Sequence, residues 1–232
     1  TVTEHEAMDE APNGAIGAAK PASNRVRVRR RHDRGHYDRA SIDAILDAMP
    51  VAHIGYVIDG SPFVTPTLQW REGDHVYWHG SSASRMLDKI DGAEACVTVT
   101  IVDGLVIARS AFNHSVNYRS VMLLGRAHAV HDPAEKEARL RRFVDQLFPG
   151  RWDMLRPANA QEMKATSVIG MKIEEGSAKI RSGPPKDDEE DLALPIWAGV
   201  LPVRMAMGTP IDDPTLVAGL VPPAHVGAFR MG

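Results

Sequence analysis

After Pro50 the chain changes period, and this change constrains the fold more than any other feature. "VAHIGYVI", "FVTPTLQW" and "HVYWHG" alternate with a period of two, and "DGSP" and "REGD" between them are turn sequences. Asp59-Gly60 is a strong hairpin signal, because the favoured two-residue turn needs positive φ. Strands joined this tightly pair antiparallel. Further on, "ACVTVTIV", a "DG" turn and "LVIARSAF" read as another hairpin. "YRSVMLLGRAHAV" reads as a further strand, and "SVIGMKIEEGSAKIRSG" returns to strand.

Helical period flanks these segments. In "DRASIDAILDAMP", Ile42, Ile45, Leu46 and Met49 share a face, Asp38 or Ser41 can cap the start, and Pro50 stops the helix. "SASRMLDKI" places Met86, Leu87 and Ile90 on one face. "HDPAEKEARLRRFVDQLF" carries a capping box of Asp132 and Glu135, with Pro133 first in the helix and Leu140, Phe143, Val144 and Leu147 toward the core. "NAQEMKATS" is a last short helix. The expected fold is mainly β with peripheral helices, an α+β chain whose six or so strands form an antiparallel barrel or curved sheet. No βαβ series is present, which argues against a Rossmann site.

A chain of 232 residues, 44% hydrophobic, can bury a sizeable core without a disulfide or metal staple. Cys96 is the one cysteine, so no intramolecular disulfide forms. That usage fits a reducing compartment, and the expected location is the cytoplasm. The longest apolar run, "ALPIWAGVLPV", falls short of the roughly 18 residues that span a bilayer. Residues 1–24 read as a flexible arm and 25–182 as the barrel domain. Residues 183–232 read as an acidic, proline-bounded linker and a segment that packs on the barrel or on a partner subunit. The run "NRVRVRRRHDRGHYDR" can neutralise phosphates, but the chain carries a net charge of −3, which favours a solvated edge or arm over a nucleic-acid surface.

Two stretches could carry chemistry. "WHGSSASRM" joins a strand to a helix, with hydroxyls on Ser81, Ser82 and Ser84, backbone N–H groups at a helix start and the fork of Arg85. It reads either as an ordinary serine cap or as an anion site. "FNHSVNYRSVMLLG" crowds polar groups at one end of the barrel, as edge-strand polarity or as a ligand edge. Among ten histidines no metal-binding pattern stands out, and no Ser–His–Asp set or paired carboxylates can be argued.

Six stretches in order, "RGHYDRASIDAILDA", "AHIGYVIDGSPFVTPT", "HVYWHGSSASRML", "NYRSVMLLGRA", "SAKIRSGPP" and "PIWAGVLP", resemble the flavin-nucleotide-binding branch of the pyridoxamine 5′-phosphate oxidase-like family, over about residues 26–203. The resemblance implies a six-stranded split β-barrel of FMN-binding type and a homodimer with FMN between the subunits. It implies that Thr65, Pro66 and Thr67 run along the flavin ring, largely through backbone. By the same match, His79, Gly80, Ser81, Ser84 and Arg85 grip the FMN phosphate. Arg119 and Ser120 reach the flavin from the other subunit, and Trp197 lies near the pocket. Many relatives carry a second cation after the arginine of the phosphate loop; here Met86 stands there, which leaves that charge to Arg119 or to the basic arm. The implied activity is an FMN-dependent oxidoreductase that passes electrons or hydride from a reduced nicotinamide to a small oxidised substrate, nitroaromatic compounds among the acceptors. The alternative is a non-catalytic flavin- or haem-binding protein for storage, sensing or transfer; a deazaflavin is a further ligand of the wider superfamily. For haem, His53 and His114 are the candidate ligands.

Overall fold

The computed structural model describes residues 19–232. Most of the arm expected over residues 1–24 lies outside the described residues. A short β1 (Gly35–His36) precedes α1 (Arg39–Ala48) and the meander β2 (Val51–Ile58), β3 (Ser61–Glu72) and β4 (His75–Ser81). Then follow α2 (Arg85–Lys89), β5 (Glu94–Ile107), β6 (Ser115–Ala129), α3 (Pro133–Leu147) and α4 (Ala160–Ala165). β7 (Thr166–Lys172), β8 (Glu175–Arg181), β9 (Gly199–Pro202) and α5 (Ala224–Ala228) complete the chain.

All pairings between strands are antiparallel, in the order β1-β8-β6-β7-β4-β3-β2-β5-β9. A further β6–β5 pairing closes a ring of six strands, β2 to β7, with β1, β8 and β9 attached outside it. β6 divides its partners: Tyr118–Leu124 pairs with β8, and Ala127–Ala129 pairs with β7. This is the expected six-stranded split β-barrel.

The alternation seen in the sequence fills the ring. Ala52, Ile54, Val76, Trp78, Val97, Val99, Leu123, Ile169 and Met171 form its core, and α1 adds Ile42, Ile45 and Leu46. Asp38 caps α1 by accepting a hydrogen bond from the Ser41 N–H at 2.8 Å. The far end of α1 is held by Gln69, which is buried; its Nε2 donates to the carbonyls of Leu46 at 2.7 Å and Met49 at 2.8 Å. Those carbonyls belong to the helix end that lacks intrahelical donors. A second apolar cluster lies under α3, where Leu140 and Phe143 cover Trp70, Tyr77 and Val168.

Three local expectations change. Asp103-Gly104 is not a turn: β5 runs through it with a register shift between Val102 and Gly104. Asp103 takes the guanidinium of Arg119 at 2.7 and 2.9 Å. A Cβ on Gly104 would lie 2.9 Å from Val200 Cγ1 and 3.1 Å from the Leu201 carbonyl, so this glycine serves the close approach of β9. At α3, Asp132 accepts from the Glu135 N–H at 2.8 Å, but the reciprocal capping box forms instead at α4, between Asn159 and Glu162. The acidic segment 183–195 is pinned to the barrel: the Asp187 carboxylate is 1% exposed and accepts from Arg109 Nη1 at 2.9 Å and from the Arg109 backbone N–H at 3.0 Å.

The last residues return to the chain's own barrel. Phe229 packs 5.3 Å from Phe148, and the Gly232 N–H donates to the Ala48 carbonyl at 2.8 Å. Between them and β9, residues 203–222 are exposed and almost free of regular structure, with apolar side chains such as Ile211, Val217 and Val221 in the open. No helix of the described residues is long and apolar enough to cross a membrane.

Candidate functional site

The first half of β3 is the least covered strand of the barrel. Its inward row is Phe63, Thr65 and Thr67, set opposite Tyr56, Ile54 and Ala52 of β2. Tyr56 stacks on Phe63 with centroids 5.7 Å apart and planes 15° from parallel. The Tyr56 hydroxyl lies 2.9 Å from Thr65 Oγ1. Thr67 Oγ1 donates to the His79 carbonyl at 3.5 Å, which joins the row to the β4–α2 loop. From that loop Arg85 lays its guanidinium over Phe63, 4.6 Å from the ring centroid. The result is a hydroxyl-lined aromatic shelf with a cation at its end. Such a shelf suits a flat conjugated ring that carries an anionic tail.

Tyr56 and Phe63 are absent from the residues singled out in the sequence. The signal was present: in a strand, residue 63 shares a face with 65 and 67. By the same rule Pro66 points to the other face, opposite His53.

The serine loop offers less backbone than its sequence implies. The Ser82 N–H donates to the Ala165 carbonyl at 2.8 Å, and the Ser84 N–H to the Ser81 carbonyl at 2.8 Å. The Ala83 N–H turns to Ser81 Oγ at 3.3 Å. The loop's own turn therefore uses two amides, and the end of α4 takes a third. The Ser84 side chain makes no capping bond, and Arg85 has no carboxylate partner among the described residues. What the loop presents is a hydroxyl and a free guanidinium. Met86 is buried in the core beside Leu87, so a charge there would cost its hydration. Gly80 makes room for this helix, since a Cβ on it would lie 2.9 Å from Leu87 Cδ1.

His79 sits in this sequence but points elsewhere. Its ring tilts against Phe143 at 4.6 Å and Trp70 at 5.9 Å, under α3, and its Nδ1 is buried without a partner. Its side chain therefore does not serve the loop, contrary to the expectation from the motif. Burial pushes its pKa below the usual value of about 6.5. The unfolded chain then binds a proton that the folded chain refuses, so this group removes stability as the pH falls below about 6.5. His79→Phe should flatten the pH dependence of the melting temperature between pH 6.5 and 5, above the range where carboxylates titrate. An unchanged slope would place the buried ring elsewhere.

Arg119 and Ser120 do not act as a pair. As neighbours on an extended strand they face opposite sides of β6. Arg119 is committed to Asp103, and Ser120 Oγ donates to the Lys179 carbonyl at 3.3 Å. Within one chain β2 and β5 separate β6 from β3, about 14 Å at three strand spacings. Trp197 is also remote from the shelf, exposed before β9 with its ring folded over Gly199. Within one chain the structure thus brings together Thr65, Thr67, Gly80, Ser81, Ser84 and Arg85, and holds Pro66, His79 and Trp197 apart from them, as it does Arg119 and Ser120, which were expected from the other subunit.

The two haem candidates are both exposed. His53 stands on the outer face of β2. His114 pairs its Nδ1 with the Ser110 carbonyl at 2.9 Å; with the proton on that nitrogen, the Nε2 lone pair is turned outward.

The model of the pyridoxamine 5′-phosphate oxidase family matches residues 38–180, and the chain belongs to this family. The chain is similar to the flavocytochrome Anf3 from Azotobacter vinelandii: 50% identity, 92% of this chain and 100% of the other covered, TM-score 0.89. It is 35% identical to a FAD and heme binding protein from Mycobacterium smegmatis, with 85% and 98% covered and a TM-score of 0.81. A 5-nitroimidazole antibiotic resistance protein from Bacteroides thetaiotaomicron shares the fold at 18% identity, with 63% and 86% covered and a TM-score of 0.52. No curated protein sequence matches the chain.

Proposed function

We propose that this protein is a flavin- and haem-carrying redox protein that passes electrons from a reduced nicotinamide to a small oxidised acceptor. The observation that carries the reading is the similarity to a flavocytochrome at 50% identity over 92% of this chain. The shelf of Phe63, Thr65 and Thr67 supports the flavin: it offers one flat face, short hydroxyls and Arg85 at one end. The flavin supplies hydride and single-electron chemistry, so the chain need only bind, orient and shield it. Tyr56 and Thr65 would steady the ring edge, while Ser84 and Arg85 would hold the phosphate end. His53 or His114 would hold the haem iron through an imidazole nitrogen. The Mycobacterium smegmatis protein is named for FAD where the family resemblance implies FMN; both share the ring and the first phosphate.

A homodimer is part of the proposal. The outer row Val51, His53, Val57 on β2 and Val64, Pro66, Leu68 on β3 is continuous by register and exposed. It is too apolar to be left in water, and a second copy would bring its own β6 toward the shelf.

The test is an absorption spectrum of the purified protein before and after NADPH. Flavin bands that bleach, with a Soret band that shifts, support the reading. Bands without bleaching leave a carrier, and a colourless protein that takes up neither cofactor overturns it. Ser84→Ala with Arg85→Ala should weaken flavin binding at least tenfold; unchanged affinity would remove the phosphate end from this loop.

A further inference from the structure

The arginine run finds its setting in the fold. Arg30, Arg31, Arg34, Lys179, Arg181 and Lys186 line one groove of about 580 Å³, and no carboxylate lines it. None of the six has an ion-pair partner among the described residues. Several arginines elsewhere are paired: Arg71 with Asp47, Arg109 with Asp187, Arg119 with Asp103, Arg139 with Glu72. Asp33 lies within the arginine run but outside the lining, and Asp187, next to Lys186, is already taken by Arg109.

Arg181 makes the groove more than a surface cluster. It is 6% exposed. Its Nη1 donates to Asn117 Oδ1 and, at 3.4 Å, to the Gly183 carbonyl; its Nη2 donates to the Pro184 carbonyl at 3.2 Å. Its Nε is buried with no partner. Burial, and then the nearness of Arg34 and Arg31, push its pKa below the usual guanidinium value. A buried cation among like charges is costly unless an anion arrives. Arg31 adds backbone strain, since it holds the left-handed conformation at φ 56°. Phe112 stands in the same lining, 98% exposed.

We propose that this groove binds the diphosphate of an adenine nucleotide, with the base on Phe112. Guanidinium forks fit phosphate oxygens in pairs, and an exposed ring is a platform for a base. His114 also lines this groove, but a porphyrin needs an apolar slot and Phe112 is the one apolar side chain here, so the haem of the proposed function falls to His53. A nucleic acid needs an extended basic face, and this charge is gathered in one hollow on a chain of net charge −3. The adenosine diphosphate could belong to a bound FAD or to the nicotinamide that reduces the protein. The first source rests on the flavin reading; the groove chemistry does not.

The probe is ADP, titrated calorimetrically into the protein as purified, with adenosine as control. The variant is Arg31→Asn with Lys186→Gln. Both residues are exposed, and asparagine tolerates the left-handed backbone, so an unchanged melting curve certifies the fold. With the nicotinamide as source, the wild type binds ADP at least tenfold more tightly than it binds adenosine, and at least tenfold more tightly than the variant does. With the flavin as source, the wild type takes up no ADP and releases FAD on denaturation, while the variant loses FAD. A colourless protein that binds ADP in this way upholds the groove and removes the flavin. Equal ADP binding by wild type and variant overturns the proposal, as does absent ADP binding in a protein that carries FMN or whose variant retains FAD. Loss of haem alone in the variant assigns the cations to propionates and overturns it too, as does tight binding of single-stranded RNA that ADP does not displace.

Discussion

Trp78→Ala should lower the stability of the protein by roughly 3–5 kcal/mol, the cost of emptying a large aromatic site in a packed core. Trp78 is 0% exposed in the barrel cluster, which draws side chains from β2, β4, β5, β6, β7 and β8 and from α1 and α2. The neighbours are paired in sheet registers and cannot collapse into the space. For a chain of this size the loss corresponds to a fall in Tm of roughly 6–20 °C. Trp78→Phe is the informative companion. The indole N–H is buried and has no partner, so phenylalanine keeps much of the packing and discards an unmet donor. It should cost well under half as much as alanine. Urea unfolding of both variants measures this; an alanine cost below about 1 kcal/mol would mean that this residue is not the centre of the core.

Arg109→Ala should have the next largest effect, because it strands a carboxylate. Asp187 is 1% exposed, and removing Arg109 deletes the 2.9 Å ion pair while leaving the acid in place. Breaking a buried pair from one side is strongly destabilising where the acid cannot escape. Here segment 183–195 can swing out, so the cost is limited by that local opening. The expected signs are protease cleavage within 186–195 and a lowered Tm with the barrel still folded. Arg109→Ala with Asp187→Ala should recover much of the loss. The pH dependence has a definite sign. In the wild type, burial pushes the Asp187 carboxyl up, but the hydrogen bonds from Arg109 outweigh it and hold the pKa below its usual value. Its contribution is present above a pH of about 3.9 and is lost as the pH falls. In the single variant the backbone N–H of residue 109 still holds the carboxylate, but the guanidinium no longer offsets burial, so the deficit should shrink on acidification. A deficit that stays constant would remove Asp187 from the buried pair.

The two variants test what could and could not be read in advance. Trp78 is visible in "HVYWHG" as a large residue on an alternating strand. Asp187 sits in "GPPKDDEEDLALP" among acids, and nothing in that run distinguishes it from its solvated neighbours. The acid becomes an anchor only because β5 brings Arg109 beside it.

The amino-acid order alone determined the strands, since alternation and turn chemistry act over a few residues. It determined α1, α3 and the inward face of α2, Met86 included, through the helical period. It carried the family, because motifs in order survive without the fold. Opposite facing of Arg119 and Ser120 was legible too, from the period of two. Only the tertiary structure decided that Asp103-Gly104 is a bulge, that His79 turns under α3, and that residues 30–34 meet 179–186 in one cationic hollow. Each of these depends on which distant strand lies alongside, and at what register. That choice is made by burial of the whole barrel at once, so no local window of sequence records it.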